Sequence, residues 1–468
     1  MKLGRAHNLI GDRDFYRRAL AVAMPIMLQN VVTNFVSLLD NIMVGQTGTA
    51  SMSGVAIVGQ LFFIFYLIIF GTVSGPGIFC AQFWGAGNEP SFKAAFRYKL
   101  LTALGISVVC MAVLGLWSRP LIALYITGTE GETAKVMGHA VGYLRIMLIG
   151  MIPFAAATAY ASTLREEGRA AVPMVASWAA VAVNLILNGI LIFGKLGMPA
   201  MGVRGAAVAT VISRFVEAAI NILWSHRHRD EVLFTRRMWE GAPMGKALFL
   251  DITRRSLPLT ANEALWCLGA ATLNQIYSTR GITVMAALNI TFVLSDLFTA
   301  VAFSMGTTIG ILVGQQLGAG ETERAVDTDR KLLVLEVMIA ATIAVFLVAL
   351  SGLFPRFYNT TAEVRGLASR LIRIVAVMLP LDCFANGCYF TMRSGGKTMV
   401  TFLFDSCFSW TVNVPVAWFL AHRTALPLTT VYFLSLATVL IKDIVGGVMV
   451  HKRYWVNTLS DARPLKEE

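Results

Sequence analysis

Residues 82–87 read Gln82-Phe83-Trp84-Gly85-Ala86-Gly87, and residues 315–320 read Gln315-Gln316-Leu317-Gly318-Ala319-Gly320. Working outward, the match runs back without a gap to Pro25 and Pro258 at a constant offset of 233. It takes in Asn41 with Asn274, Gly48 with Gly281, Phe70 with Phe303 and Gly77 with Gly310. Fourteen identities fall in those 63 residues, more than apolar composition alone supplies. Farther along, Arg145, Arg165 and Gly168 align with Arg373, Arg393 and Gly396 at an offset of 228. The chain is one unit written twice. In a membrane protein such duplication points to a transporter, because two equivalent bundles can enclose a site and rock about it.

Composition places the chain in a bilayer: 56% of its 468 residues are hydrophobic, 14% are charged and the mean hydropathy is +0.66. A soluble domain carries roughly 25% charged residues. Apolar runs long enough to cross the hydrocarbon are read at 20–43, 53–80, 100–118, 138–163, 171–193 and 205–225, then at 256–279, 283–313, 332–354, 368–392, 399–420 and 429–450. The expected fold is an all-α integral membrane protein with twelve transmembrane helices in two homologous six-helix lobes around a central cavity. The expected divisions are 1–225 for the N-terminal lobe, 226–255 for a cytoplasmic linker lying along the membrane surface, and 256–468 for the C-terminal lobe.

The net charge of +12 follows topology. With the N-terminus inside, inner segments hold 26 lysines and arginines and outer loops hold 9, and the other four, Arg145, Arg214, Arg373 and Lys442, lie within spans. The positive-inside rule then puts both termini in the cytoplasm, and the basic balance reports anionic lipid, not nucleic acid. The cysteines at 80, 110, 267, 383, 388 and 407 sit in or beside apolar runs without zinc or disulfide spacing. Met1 to Arg18 is too polar for a cleavable leader. No HExxH or paired GxSxG constellation suggests an enzyme. Prolines 25, 153, 258, 380 and 415 fall inside spans and predict bends.

The chain resembles the multidrug and toxic compound extrusion family, bacterial type, within its flippase superfamily. The residues that carry the resemblance are Pro25, Asp40-Asn41-Ile42-Met43-Val44-Gly45, the two Gly-Ala-Gly turns, and the turns Leu164-Arg165-Glu166-Glu167-Gly168 and Met392-Arg393-Ser394-Gly395-Gly396. The resemblance implies an efflux antiporter of a bacterial plasma membrane that exchanges a proton or sodium ion for a small, amphipathic, cationic drug or metabolite by alternating access. It implies a monomer and no cofactor beyond the coupling ion. A lipid-linked oligosaccharide flippase of the same superfamily is the alternative, and it calls for a basic cavity that this chain does not offer.

An ionised carboxylate in the hydrocarbon needs water, a partner or a cation, so intramembrane acids mark candidate sites. The acids singled out are Asp40, Glu263, Asp296, Asp382 and Asp405. Counted at about 1.5 Å per residue from flanking bases, Glu263, Asp382 and Asp405 reach one depth. Three carboxylates at one level in one lobe suit a proton or sodium site. The resemblance assigns a cation site, for a proton or a sodium ion, to Glu263 and Asp382, with Asp405 as an acid of a bacterial branch. In the first lobe Asn184 and Asn188, one helical turn apart, can present two amides beside Asp40, and the resemblance places a coupling site there. A pairing of the C-terminal acids with Arg373 or Lys442 is the competing reading, and Arg214 and Glu217 are expected to neutralise each other. Met24, Met27, Phe35, Met147, Met151, Phe154 and Trp178 are candidates for an apolar drug cavity.

Overall fold

The computed structural model describes residues 9–126, 130–240 and 244–459, and every regular element among them is helical. Twelve spans follow one another. They are α1 (Arg13–Gly45), α2 (Thr49–Gly85), α3 (Glu89–Leu116), α4 (Gly131–Glu166), α5 (Ala171–Leu191), α6 (Val203–Arg227), α7 (Lys246–Ser278), α8 (Ile282–Gly318), α9 (Thr322–Ser351), α10 (Ala362–Ser394), α11 (398–423) and α12 (Leu428–His451). All but α7 and α11 are long and apolar enough to cross a membrane on those criteria alone.

The two exceptions have local causes. α7 starts at Lys246 and carries Asp251, Arg254 and Arg255 before its apolar stretch, so the last part of the expected 226–255 linker is helix. α11 is interrupted: π-helical turns at Leu403–Cys407 and Ser409–Asn413 precede a regular helix at Val414–Arg423. Such wide turns release backbone groups from the ordinary ladder and recur at functional sites. Proline bends fall where expected, with Pro25, Pro258 and Pro380 inside α1, α7 and α10, while Pro153 follows a 3-10 turn at Leu148–Gly150.

The duplication is visible in the backbone. Gly48 and Gly281 have φ of 113° and 123°, Gly87 and Gly320 have 68° and 76°, and Gly168 and Gly396 have 85° and 72°. Each pair ends a helix in equivalent turns, where a side chain would be strained. At the Gly-Ala-Gly turns the repeats also touch reciprocally. A Cβ on Gly85 would lie 1.8 Å from the Gln315 carbonyl oxygen, and one on Gly318 would lie 1.8 Å from that of Gln82. Gln82 is fully buried there. Its Nε2 donates to the Ser394 carbonyl at 2.8 Å and its Oε1 accepts from the Leu459 amide at 2.6 Å.

This crossing decides how the chain divides by packing. One compact unit comprises Leu28–Cys80 and Glu89–Ile252; among the described residues, the other takes in the stretch to Met27, Ala81–Asn88 and the chain from Thr253 onward. The division therefore passes through α1 and α2 as well as the linker. Within the first unit, the linker departs from a segment resting on a membrane surface: Val232 and Phe234 are fully buried, and Phe234 packs edge or tilted against Phe92, Phe96 and Tyr160. Val232, Phe234 and Met238 fill the end of that unit, while Trp239, Phe249 and Leu250 stay exposed.

Candidate coupling sites

In the first unit, the i, i+4 spacing on α5 puts Asn184 and Asn188 on one face, 5% and 1% exposed, toward Asp40 of α1. Asn188 Nδ2 donates to Asp40 Oδ1 at 2.7 Å and to Asn184 Oδ1 at 3.1 Å, and Asn184 Nδ2 donates to Thr210 Oγ1 of α6 at 3.3 Å. In this arrangement Asn184 Oδ1 faces both Asp40 oxygens, at 2.9 and 3.0 Å. Acceptor against acceptor is relieved by a half-turn of the Asn184 amide, which presents its nitrogen to both carboxylate oxygens. Asn188 Oδ1 is buried without a partner in the arrangement as it stands.

Beside this cluster a small pocket is lined by Phe62, Phe65, Tyr66, Met151, Phe154 and Arg214, among others. The Arg214 guanidinium lies 5.0 Å from the Phe154 ring centre and pairs with Glu217 at 3.1 Å, the neutralisation expected from their spacing. Of the expected cavity residues, Met147, Met151 and Phe154 line this pocket. Met24, Phe35 and Trp178 do not, being 43%, 54% and 38% exposed, which fits lipid contact on a membrane helix.

In the second unit the acids are not equivalent. Lys442 of α12 binds Asp405 Oδ1 at 2.7 Å, and Asn262 Nδ2 donates to Asp405 Oδ2 at 3.0 Å. The wide turn that carries Asp405 is held by the same asparagine, since Asn262 Oδ1 accepts from the Ser406 amide at 3.2 Å and from Ser406 Oγ at 2.7 Å. Glu263, next on α7, feels the charges of Arg393 and Asp405, whereas Asp382 feels those of Lys442 and Asp443. The three carboxylates are thus not alike: Asp405 is paired with Lys442, whose charge also reaches Asp382, while Glu263 lies within reach of Arg393 and of Asp405 itself. Arg373 instead donates to Ser351 Oγ at 3.0 Å, and Asp296 on α8 is exposed.

No group of three or more His, Cys, Asp or Glu side chains among the described residues is placed to hold a metal ion. All six cysteines are unbonded, as expected of small apolar residues.

Several buried ionisable groups escaped the sequence reading. Lys99 of α3, fully buried, donates to Glu166 Oε2 at 2.6 Å, to Thr163 Oγ1 at 3.0 Å and to Ser162 Oγ at 3.1 Å. Asp329 and Glu336 of α9 are fully buried too. Glu336 and Asp443 lie inside the expected spans 332–354 and 429–450, so an acid within an apolar run was the available signal. Lys99 was legible only as a loop charge.

Comparison with known proteins agrees with this architecture. The MatE family model matches residues 25–190 and 258–419, one match in each repeat. The chain is 24% identical to a probable multidrug resistance protein NorM of Thermotoga maritima over 92% of this chain and 91% of that protein. It is 26% identical to a probable multidrug resistance protein YoeA of Bacillus subtilis, covering 87% and 88%. A solved outward-facing multidrug resistance MATE family transporter of the MOP superfamily superposes with a TM-score of 0.85 at 21% identity, over 97% of this chain and 98% of that one.

Proposed function

The chain belongs to the MatE family, and from that premise we propose that it is a secondary active multidrug efflux transporter, driven by proton exchange at Asp40. The observation that supports the ion assignment is an intramembrane carboxyl held by amides and not by a base, with Asn188 Nδ2 donating to Asp40 Oδ1 at 2.7 Å, where a proton can neutralise it. A cationic, amphipathic substrate competes with the proton for the negative charge, and the aromatic pocket beside Asp40 supplies apolar contact. Glu263 and Asp382 serve the second unit as proton sites, with Lys442 paired to Asp405. The protein acts as a monomer by alternating access in a bacterial inner membrane, both termini cytoplasmic. The flippase reading has less support, because Arg214 is neutralised by Glu217 and offers no free cation for a pyrophosphate.

Reconstitution into proteoliposomes tests the proposal. An imposed proton gradient should drive uptake of a cationic dye into inside-acid vesicles, an equal sodium gradient should not, and Asp40→Asn should lower the proton-driven rate more than tenfold, about the loss of 1.4 kcal/mol. Wild-type rates from Asp40→Asn, Glu263→Gln and Asp382→Asn together, or transport that follows sodium alone, would overturn it.

A further inference from the structure

The base-free counterpart of the Lys99–Glu166 pair lies in the other repeat. α3 and α9 start at Glu89 and Thr322, which are 233 apart, so Phe96, Lys99 and Ala103 correspond to Asp329, Leu332 and Glu336. Thr163 corresponds to Thr391 at the offset of 228. The first repeat fills this slot with an ammonium among three oxygen partners. The second fills it with two acids and a leucine, and Asp329, Leu332, Glu336 and Thr391 are all 0% exposed.

Two independent features of the slot call for protons. Thr391 Oγ1 lies 2.5 Å from Asp329 Oδ1 and 2.9 Å from the Gly387 carbonyl oxygen. One hydroxyl proton cannot serve both contacts. If it goes to the carbonyl one turn back, as helical threonines commonly arrange, the short contact to Asp329 needs a proton on the carboxyl. The second feature is Glu336, whose two oxygens are both buried without a hydrogen-bond partner, as is Asp329 Oδ2. The Glu336 carboxyl is pressed against α10 where Gly387 leaves room, since a Cβ there would meet Glu336 Oε2 at 2.5 Å. An ionised carboxylate without a protein partner is among the costliest groups to bury.

The surroundings supply no base to neutralise it. Arg330, beside Asp329 on α9, acts on it only at a distance, and Lys331 is committed to Asp327 at 2.6 Å. From α10 the groups that feel the two acids are Cys383 and Cys388, the first also within reach of Asp382 and the second of Asp443. The acids and thiols of α9, α10 and α12 therefore add negative charge or none.

We infer that Asp329, Glu336 and Thr391 form a proton-binding site inside the second unit, separate from Asp40, Glu263 and Asp382, in which the two carboxyls carry protons and α9 is held to α10 through them. Losing those protons places unpartnered charge in a fully buried slot, so the α9–α10 contact loosens as pH rises. This inference stands without the transport reading, and its test is spectroscopic.

Infrared difference spectra of the full chain in lipid vesicles at neutral pH are compared for the wild type, Asp329→Asn, Glu336→Gln and Leu332→Lys. Each amide variant is expected to remove one protonated-carboxyl band and no carboxylate band. Leu332→Lys puts an ammonium at the position of Lys99, three residues from one acid and four from the other, and is expected to convert a protonated-carboxyl band into a carboxylate band. It also serves if an amide variant fails to fold. Thermal melting should decline on the alkaline side in the wild type and flatten in Glu336→Gln. Carboxylate bands lost in place of acid bands, an unchanged spectrum in Leu332→Lys, or a wild-type melting curve flat with pH would overturn the assignment.

Discussion

The two repeats share turns, glycines and helix register, yet they neutralise their buried charge by different means. Around α3 the first repeat uses an internal base, Lys99 against Glu166; around α9 the second buries acids with none. At the candidate coupling sites the assignment reverses. Asp40 of the first repeat is held by amides and has no ion-pair partner within 4 Å, whereas Asp405 of the second is fixed by Lys442 at 2.7 Å. The first repeat thus pairs Glu166 with a lysine and holds Asp40 by amides, and the second pairs Asp405 with a lysine and buries Asp329 and Glu336 without one. A duplicated backbone fixes where side chains meet, and single substitutions then decide whether a slot carries permanent or removable charge.

The comparison breaks most directly where the repeats are alike. Gly85→Ala and Gly318→Ala each push a methyl group into facing backbone, where no side chain can rotate away. Both should cost about 3 kcal/mol or more, seen as loss of folded protein in detergent, and to a similar degree. If one is tolerated and the other is not, the reciprocal crossing at Gln82 and Gln315 is not equivalent in the two repeats.

Where the repeats differ, the effects should differ. Lys99→Met leaves Glu166 without its ammonium, and breaking a buried pair in this way typically costs about 3–5 kcal/mol. Glu166→Gln in the same chain should recover most of that, because the orphaned charge is gone. Melting temperatures of the single and double variants measure this. A double variant no more stable than Lys99→Met would mean that the lysine acts through packing, not charge. The corresponding change in the second repeat, Lys442→Met, frees Asp405, which is only partly buried. We expect proton-driven transport to fall about tenfold, with Asp405→Asn restoring part of it, an effect near 1.4 kcal/mol. Unaltered transport would reduce that pair to a structural tie between α11 and α12.

Much of this frame was legible in the residues. Pro25 and Pro258, Gly48 and Gly281 and the Gly-Ala-Gly turns announced the repeat, since turns and bends demand particular residue types wherever they occur. The amide pair beside Asp40 was legible because i, i+4 spacing fixes a helix face. The C-terminal acids were misjudged for a geometric reason: counting rise per residue gives depth but not direction around the helix, and the wide turns at 403–413 rotate Asp405 toward Lys442. Lys99 and Asp329 were missed because they fall just outside the apolar runs, in extensions of helix that hydropathy assigns to loops.

The smallest expected effect lies at the end of the first unit, outside the spans. Burial raises the Glu167 carboxyl to about 7, against opposing help from the Leu233 amide, which donates to Glu167 Oε1 at 2.9 Å, and from Arg169. The unfolded or undocked value is 4.5. A raised carboxyl takes up a proton on docking, so the linker segment 228–237 is held most firmly below about 4.5 and progressively less as pH rises to about 7. Above that range the dependence should vanish. Protection of the Leu233 amide against hydrogen exchange, corrected for intrinsic rate, should fall across this window. Glu167→Gln keeps an acceptor for Leu233 but cannot titrate, so it should flatten the profile. The equivalent turn of the second repeat has Gly395 where the first has Glu167, so amides around it should have no matching pH dependence. A parallel fall in both turns would trace the change to general loosening of the chain instead of to this one carboxyl.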